Sequence, residues 1–434
     1  MPRFFAIFLT VFFIATSAVP GLAVSGSGDE RAEADFSVEM KPSSRFLARK
    51  ILLFPLDLPG YAMRAVTWPI GAVVEVVEEK DLGKRAFELM STKDGRFWVY
   101  PYLEGAPGPG FGGGFGFVYK DAFHRGWKFA GRYDLRINLN QYARFGVEKK
   151  ELFNISGHGA DFSLDSRWAH DGYNNYYGIG EGSSSSNHAT YSSHIVRNRF
   201  KLDFELLRHV GVGPRFGLDT VWAKSVAKDG HPGVSDIFPV AELVGLDKTI
   251  NYLVPGAELW FDNRNDDNFP NSGGRYSAGI WRYQAIDLGG VSYNQYEFNL
   301  QHNFTLWHPE IVLTLQNKWK VKQATSGDKV PFELLTVLDY SSPLRGFSGG
   351  RFHDRSSVLF NIEYRYPVWN VIYGVLFVDA GKVFRKLDQF DLDNFKFSGG
   401  GGFRFHYKKI ALFNLDIGYG GEGVKFIFGI QKLL

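Results

Sequence analysis

The chain has 434 residues, a formal net charge of +3, no cysteine, 16% aromatic residues and 50 glycines. Lack of cysteine excludes a disulfide framework, thiolate metal sites and cysteine catalysis, and so small a net charge gives no argument for nucleic acid as a partner. No run of about 18 apolar residues occurs after the N-terminus, which argues against a helical membrane protein, whereas short aromatic-rich segments recur throughout, as alternating barrel strands produce.

Residues 1–23 read as a secretory signal peptide: a basic start at Arg3, an apolar core from Phe4 to Ile14, and the small residues Gly21 and Ala23 before a cut. Residues 24–95 change character, from a polar acidic linker to amphipathic pieces punctuated by Pro55, Pro59 and Pro69. Proline interrupts a helix interior, so short periplasmic helices are expected here, with an interfacial amphipathic segment as the alternative. The apolar stretch Val66 to Val77 is too short to span a bilayer.

From about residue 96 the pattern is that of strands. The barrel begins near Phe97 to Tyr102, and its first clear strand is the glycine-rich GAPGPGFGGGFGFVYK, Gly105 to Lys120. Glycines inside a strand weaken it, so Gly110, Gly112, Gly113, Gly114 and Gly116 predict a weak seam where the first strand meets the last. A phosphate cradle is a poor reading, since no Lys-Ser or Lys-Thr follows.

Later strands show a period of two. Phe200, Leu202, Phe204 and Leu206 alternate with Lys201, Asp203 and Glu205, and Tyr296, Phe298 and Leu300 alternate with Glu297, Asn299 and Gln301. Such segments lie near 109, 127, 140, 158, 195, 211, 251, 273, 292, 309, 331, 357, 373, 395, 411 and 423. The expectation is therefore an all-β fold over 96–434: a 16-stranded antiparallel transmembrane β-barrel with both termini in the periplasm. In this count Ala169 to His194 is a long periplasmic turn. The closing strand alternates Val424, Phe426, Phe428 and Ile430 with Lys425, Ile427, Gly429 and Gln431, and the chain ends on Lys432-Leu433-Leu434 rather than on an aromatic. The sequon Asn154-Ile155-Ser156 is read as coincidental.

One stretch does not fit a lipid-facing strand. Ser341 to Gly350, SSPLRGFSGG, follows the eleventh strand on the extracellular side, and its arginine and glycines suit a loop folded back into the barrel. The next two strands carry Glu363 and Asp379, which parity turns inward. That leaves Phe360, Ile362, Tyr364 and Tyr366 outward on one strand, and Leu376, Val378 and Ala380 outward on the other.

Leu344-Arg345-Gly346-Phe347 resembles the (V/I/L)-R-G-(F/Y) motif in the sixth extracellular loop of the BamA/TamA family, the bacterial surface antigen superfamily. Phe377, Asp379 and Gly381 resemble that family's F-x-D-x-G strand motif, and Glu363 falls where the family places its second acid. Asp262, Arg264, Pro270 and Gly273 resemble its turn between barrel strands. The resemblance covers roughly residues 96–434. It implies an outer-membrane barrel in contact with lipid that assists insertion of proteins into the membrane or transport across it, with unfolded client proteins as partners. No catalytic turnover, cofactor or metal is expected. Most of the family carries POTRA domains of about 75 residues, an ordinary small-domain size. Residues 24–95 have room for one at most and lack its strand pattern, so none is expected.

From the resemblance and the two inward acids, Arg345 is expected to reach into the lumen and pair with Asp379, Glu363 or both, whereas His353, Asp354 and Arg355 read as loop polarity. A passive pore or structural surface protein is the alternative. A barrel lipid hydrolase built on Ser183 to Ser186 with His188 and His194 is a third, although nothing places an acid or oxyanion hole beside them and a serine-rich turn is simpler. Calcium at Asp262 to Asn268 is disfavoured, because the Gly and terminal Glu of a helix-loop-helix site are missing.

Overall fold

The computed structural model describes residues 88–429, apart from 107–109, 156–157, 326, 340–341, 370–371 and 408–409. The expected signal peptide and nearly all of the expected periplasmic segment, including its expected lack of a POTRA domain, lie outside the described residues. Only residues 88–95 of that segment are seen, with Glu88 to Met90 as a helical turn.

Nineteen strands follow: β1 (Phe97–Ala106), β2 (Gly110–Ala122), β3 (Trp127–Arg136), β4 (Gln141–Ile155), β5 (His158–Tyr176), β6 (Ala189–Leu207), β7 (Val210–Ser225), β8 (Thr249–Leu253), β9 (Gly256–Asp262), β10 (Gly273–Ala285), β11 (Tyr293–Thr305), β12 (Val312–Ala324), β13 (Thr336–Leu338), β14 (Phe352–Asp354), β15 (Ser356–Trp369), β16 (Ile372–Phe384), β17 (Lys396–Tyr407), β18 (Ile410–Gly420) and β19 (Gly423–Gly429). Seventeen form one antiparallel sheet, and β13 and β14 pair separately.

Strands β8 and β9 share one place in the wall, because both pair with β7 on one side and β10 on the other. Pro255 interrupts them by removing a backbone donor. The wall stays bonded across the break, through Val254 N–H to Gly217 O at 2.8 Å and Arg282 N–H to Pro255 O at 2.9 Å. Seventeen strands with two in one place make sixteen wall positions, and β1 meets β19 to close the ring.

The segment count reached sixteen through two errors that cancel. Phe97–Ala106 is a strand of its own, ahead of the glycine-rich one, and the segment near 331 is not in the wall at all. It belongs to the inserted loop, where Phe332–Leu334 form a turn of 3-10 helix and β13 pairs with β14. A third expectation also changes. Ala169 to His194 is not a periplasmic turn: β5 and β6 are each 19 residues long, so this stretch is mostly strand. Its short connection lies at the end of the barrel that carries the β12–β15 loop, since Ile179 bridges His353. The missed β1 had shifted every turn before the segment near 331 to the opposite end, and the false segment there restored the sense of those that follow.

Outward positions are apolar, as lipid requires. Leu259, Ile280, Ile362, Val378, Val424 and Phe426 are all exposed on the outside. Tyr366 lies on the side that parity gives it, opposite Gly374, but is covered there by Ile311, Val368 and Ile372. Its ring lies across Gly374 of β16, where a Cβ would meet ring atoms at 2.4 to 2.5 Å.

Over the loop end, side chains from long strands and connections build a dome. Tyr176, Tyr191, Leu243, Ile250, Tyr252, Tyr293 and Phe332 are buried together there. Two titratable groups in the dome oppose each other. Burial pushes the Glu333 carboxyl up to about 7 and the His353 imidazole down to about 3. A raised acid contributes stability that is full below its unfolded value and lost as pH rises through 7. A depressed histidine contributes stability that is present above its unfolded value and lost as pH falls toward 3. Above the ordinary histidine range, of these two groups, Glu333 alone titrates. Hydrogen-exchange protection of dome amides in the native chain is therefore expected to fall, as pH rises from about 6.5 to about 7.5, relative to that in Glu333→Gln, which keeps only the opposing histidine contribution.

Candidate functional site: a loop locked inside the barrel

The β12–β15 loop enters the lumen as a structured insert. Its entrance is shaped by Asp339, whose carbonyl accepts from Leu344 N–H at 2.7 Å and whose carboxylate accepts from Gly350 N–H at 2.9 Å. The Ser342 hydroxyl closes the same turn onto Val337 O at 2.8 Å. These bonds present Leu344 to Phe347 as a tight knuckle against the wall.

Arg345 is nearly completely buried there. Its backbone N–H donates to Asp379 Oδ2 at 3.1 Å, its Nε to the same oxygen at 3.0 Å and its Nη2 to Oδ1 at 2.8 Å. Nη1 turns the other way and donates to Glu363 Oε2 at 3.1 Å. The sequence left open whether Asp379, Glu363 or both would be engaged; the structure brings both. The guanidinium plane also stacks on Phe377, with Cζ 3.4 Å from the ring centroid.

Strand periodicity explains why one motif supplies so much. Phe377, Asp379 and Gly381 are two residues apart, so all three face inward on β16. Phe377 carries the guanidinium, Asp379 binds it, and Gly381 leaves room for leucines: a Cβ there would meet Leu338 Cδ1 at 3.0 Å and Leu344 Cδ1 at 3.6 Å. Leu344 and Phe347 pack with Leu338, Phe352, Leu359 and Val383. Gly346 is needed for a different reason. Its backbone lies against the backbone of β18, where a Cβ would sit 2.3 Å from Gly420 N. Gly418 and Gly420 mirror the requirement, with Arg345 O and Gly346 O at 2.6 and 2.8 Å from their built Cβ positions.

Further partners were missed in the sequence. The Asn361 amide donates to Asp379 Oδ1 at 2.8 Å and Pro343 O at 2.9 Å, and the Ser398 hydroxyl to Asp379 Oδ2 at 3.2 Å. Arg404 bridges the two other acids, donating to Asp416 Oδ1 at 2.5 Å and Glu363 Oε2 at 3.1 Å, while Asp416 Oδ2 stands 3.6 Å from Arg345 Nη1. Inward parity was the available signal: Asn361 is two residues from Glu363, and Asp416 lies between the outward Leu415 and Ile417. A second loop arginine, Arg351, binds Glu422 Oε1 at 2.5 Å and the Ser183 hydroxyl at 2.8 Å.

The serine-rich turn is thereby accounted for. Ser183 accepts from Arg351, and Ser184 and Ser186 bond each other at 2.7 Å. His188 bonds Asn175 at 2.9 Å and stacks on Tyr177, and His194 lies over His170 of the neighbouring strand. His353 and Asp354, read as loop polarity, are buried members of β14.

At the other end, the β9–β10 turn is closed by Arg264, which donates to Asp262 Oδ1 at 2.9 Å and Oδ2 at 2.7 Å. Arg275 adds a third contact to Asp262 at 3.0 Å. With its carboxylate so occupied, Asp262 serves a hydrogen-bonded turn. Pro270 O accepts from Arg365 Nη2 at 2.7 Å, and the Arg365 guanidinium lies 3.6 Å from the Phe269 ring centroid. Gly273 takes a φ of +82°, and a Cβ there would meet Asn263 O at 2.3 Å. This turn and the loop knuckle bound a lumen cavity of about 220 Å³.

The expected seam moves by one strand. Gly110, Gly112, Gly113, Gly114 and Gly116 lie on β2, which pairs along its length with β1 and with β3. They allow close approach to those neighbours: Cβ atoms at Gly112 and Gly114 would meet the β3 backbone at 2.7 and 1.8 Å, and one at Gly116 the Tyr100 ring at 2.2 Å. The closing junction is β1 to β19, and among the described residues its register is a single pair, Gly105 with Phe428.

A closed antiparallel barrel with an apolar exterior and an arginine-anchored loop in its lumen defines an outer-membrane β-barrel. The chain belongs to the Omp85 superfamily, whose domain model matches residues 110–431. Its fold is similar to BamA from Haemophilus ducreyi lacking POTRA domains 1–3, at TM-score 0.55 and 13% identity, over 77% of this chain and 70% of that one. It is also similar to CdiB from Escherichia coli, at TM-score 0.50 and 10% identity, over 76% of this chain and 62% of that one. The chain thus spans less than two thirds of the CdiB chain. Among curated proteins, none matches the sequence.

Proposed function

We propose that this barrel assists the insertion of proteins into the outer membrane or their transport across it, with unfolded protein chains as clients. The observation that carries the reading is the junction of β1 with β19, where the first and last strands of the wall close the ring with Gly105 opposite Phe428. Cross-strand pairs contribute roughly 0.2 to 1 kcal/mol each, and no turn ties the first strand of the wall to the last, so the wall can part here without straining a connection. Opening it exposes two strand edges, which template pairing with another chain. The locked loop supports the reading by bracing β15 to β18 as a rigid block beside β19.

Depletion of the protein is expected to lower the amounts of other outer-membrane barrels or of exported proteins, measured by quantitative mass spectrometry of membrane and secreted fractions. Unchanged levels of both, together with ion conductance of the purified barrel in planar bilayers, would sink the proposal and identify a passive pore.

A further inference from the structure

The inner wall opposite the loop knuckle holds a second cavity, of about 370 Å³, whose charges do not balance. Four of its cations are matched: Arg167 to Asp165 at 2.8 Å, Arg199 to Asp219, Arg215 to Asp203 at 2.5 Å and Glu258 at 3.0 Å, and Lys320 to Glu297 at 3.2 Å. Three more line the same space, Arg197, Lys201 and Lys322. Seven basic side chains thus face these five acids and Glu333, which lies within electrostatic reach of Arg197 and Lys322, so bases outnumber acids by one.

None of the three extra cations is satisfied by a carboxylate of its own. Arg197 Nε is buried without a hydrogen-bond partner among the described residues, and stands 3.6 Å from an Asp219 oxygen. Both oxygens of that carboxylate already accept from Arg199. Lys201 makes no ion pair among the described residues, and Lys322 donates to the carbonyl of Leu334. The surrounding pairs fix the strands that carry these donors. Like charges confined together repel, and an oxyanion relieves that repulsion while accepting charge-assisted hydrogen bonds.

We infer that this cavity is a binding site for an oxyanion of the phosphate class, gripped by Arg197, Lys201 and Lys322. Beside the cations, Trp281 and the stacked pair Tyr283 and Tyr293 form an aromatic wall, with the two tyrosine ring centroids 4.5 Å apart. The space therefore accepts either the free ion or a phosphate monoester whose organic part lies on the rings. The site is independent of the closing junction and of the role proposed for it.

Titration calorimetry on the full-length protein purified in detergent, at constant ionic strength, tests the site with two probes: inorganic phosphate and glycerol phosphate. Saturable binding is expected, weakened about tenfold or more in Arg197→Gln and in Lys201→Gln, since each removes a hydrogen bond to a charged group. Lys386→Gln, in an exposed loop away from the cavity, is expected to bind as the native chain does. Heat-modifiable migration on gels verifies that each variant is folded. Tighter binding of the monoester identifies an organic phosphate as the ligand class, and equal affinity identifies the free ion. No saturable heat from either probe, or affinities in folded Arg197→Gln and Lys201→Gln equal to native, overturns the inference.

Discussion

Arg345→Ala is expected to release the loop from the lumen while leaving an inserted barrel. The substitution strands Asp379, which is completely inaccessible to solvent, and leaves Glu363 and Asp416 with Arg404 alone. Removing one partner of a buried ion pair costs about 3 to 5 kcal/mol. Glu363 is 27% exposed, so lumen water lessens its share, whereas Asp379 has no such relief. Lysine does not reproduce the paired Nε and Nη2 contacts or the stacking on Phe377, so Arg345→Lys is expected to behave much as the alanine variant does. Asp379→Asn keeps an acceptor for Arg345 and should be intermediate. Limited proteolysis of the loop and heat-modifiable migration report the outcome. Unchanged loop protection and barrel stability in Arg345→Ala would show that the guanidinium does not hold the loop.

Locking the ring at its closing junction is expected to abolish activity without unfolding the protein. Gly105 and Phe428 are Cα partners across β1 and β19. Antiparallel partners lie about 4.5 to 5.5 Å apart, inside the roughly 4.4 to 6.8 Å that a disulfide spans. The Gly105→Cys, Phe428→Cys double variant should oxidise, keep native heat-modifiable migration and fail to restore barrel or export levels in depleted cells. Reductant should restore them. A control crosslink at Phe97 and Tyr119, which pairs β1 with β2, should leave function intact. If the oxidised seam variant complements as well as the reduced one, activity does not pass through this junction.

Much of the lock was legible because its determinants are local. Period-two alternation fixes which of Phe377, Val378, Asp379, Ala380 and Gly381 face inward, and a strand carries that pattern however the rest of the chain is arranged. The wall was harder to read at two places. Pro101 and the glycines on either side of residue 107 blur the boundary between β1 and β2, so two strands read as one and the seam was assigned to the wrong one. Near 331 the apolar residues Val330, Phe332, Leu334 and Leu335 imitate an outward strand face but pack inside the dome. Alternation reports that one side is apolar and does not say whether lipid or protein covers it. Arg404, Asp416 and Arg351 escaped for another reason: polar residues facing a lumen are ordinary, and only their meeting in space sets these apart.

The direction in which the lock reaches along the chain has a consequence for the order of assembly. Arg345 binds Glu363, Asp379 and Asp416, all later in the sequence, whereas Arg351 binds both Glu422 and the much earlier Ser183. Ring closure instead joins residue 105 to residue 428. Contacts between near neighbours in sequence form before those that must close a long chain loop. The last third of the polypeptide can therefore set its inserted loop while the sheet is still open, and that block then presents a finished edge for the N-terminal strands to meet. A nascent barrel arrested before closure would already hold its loop against β15, β16 and β18.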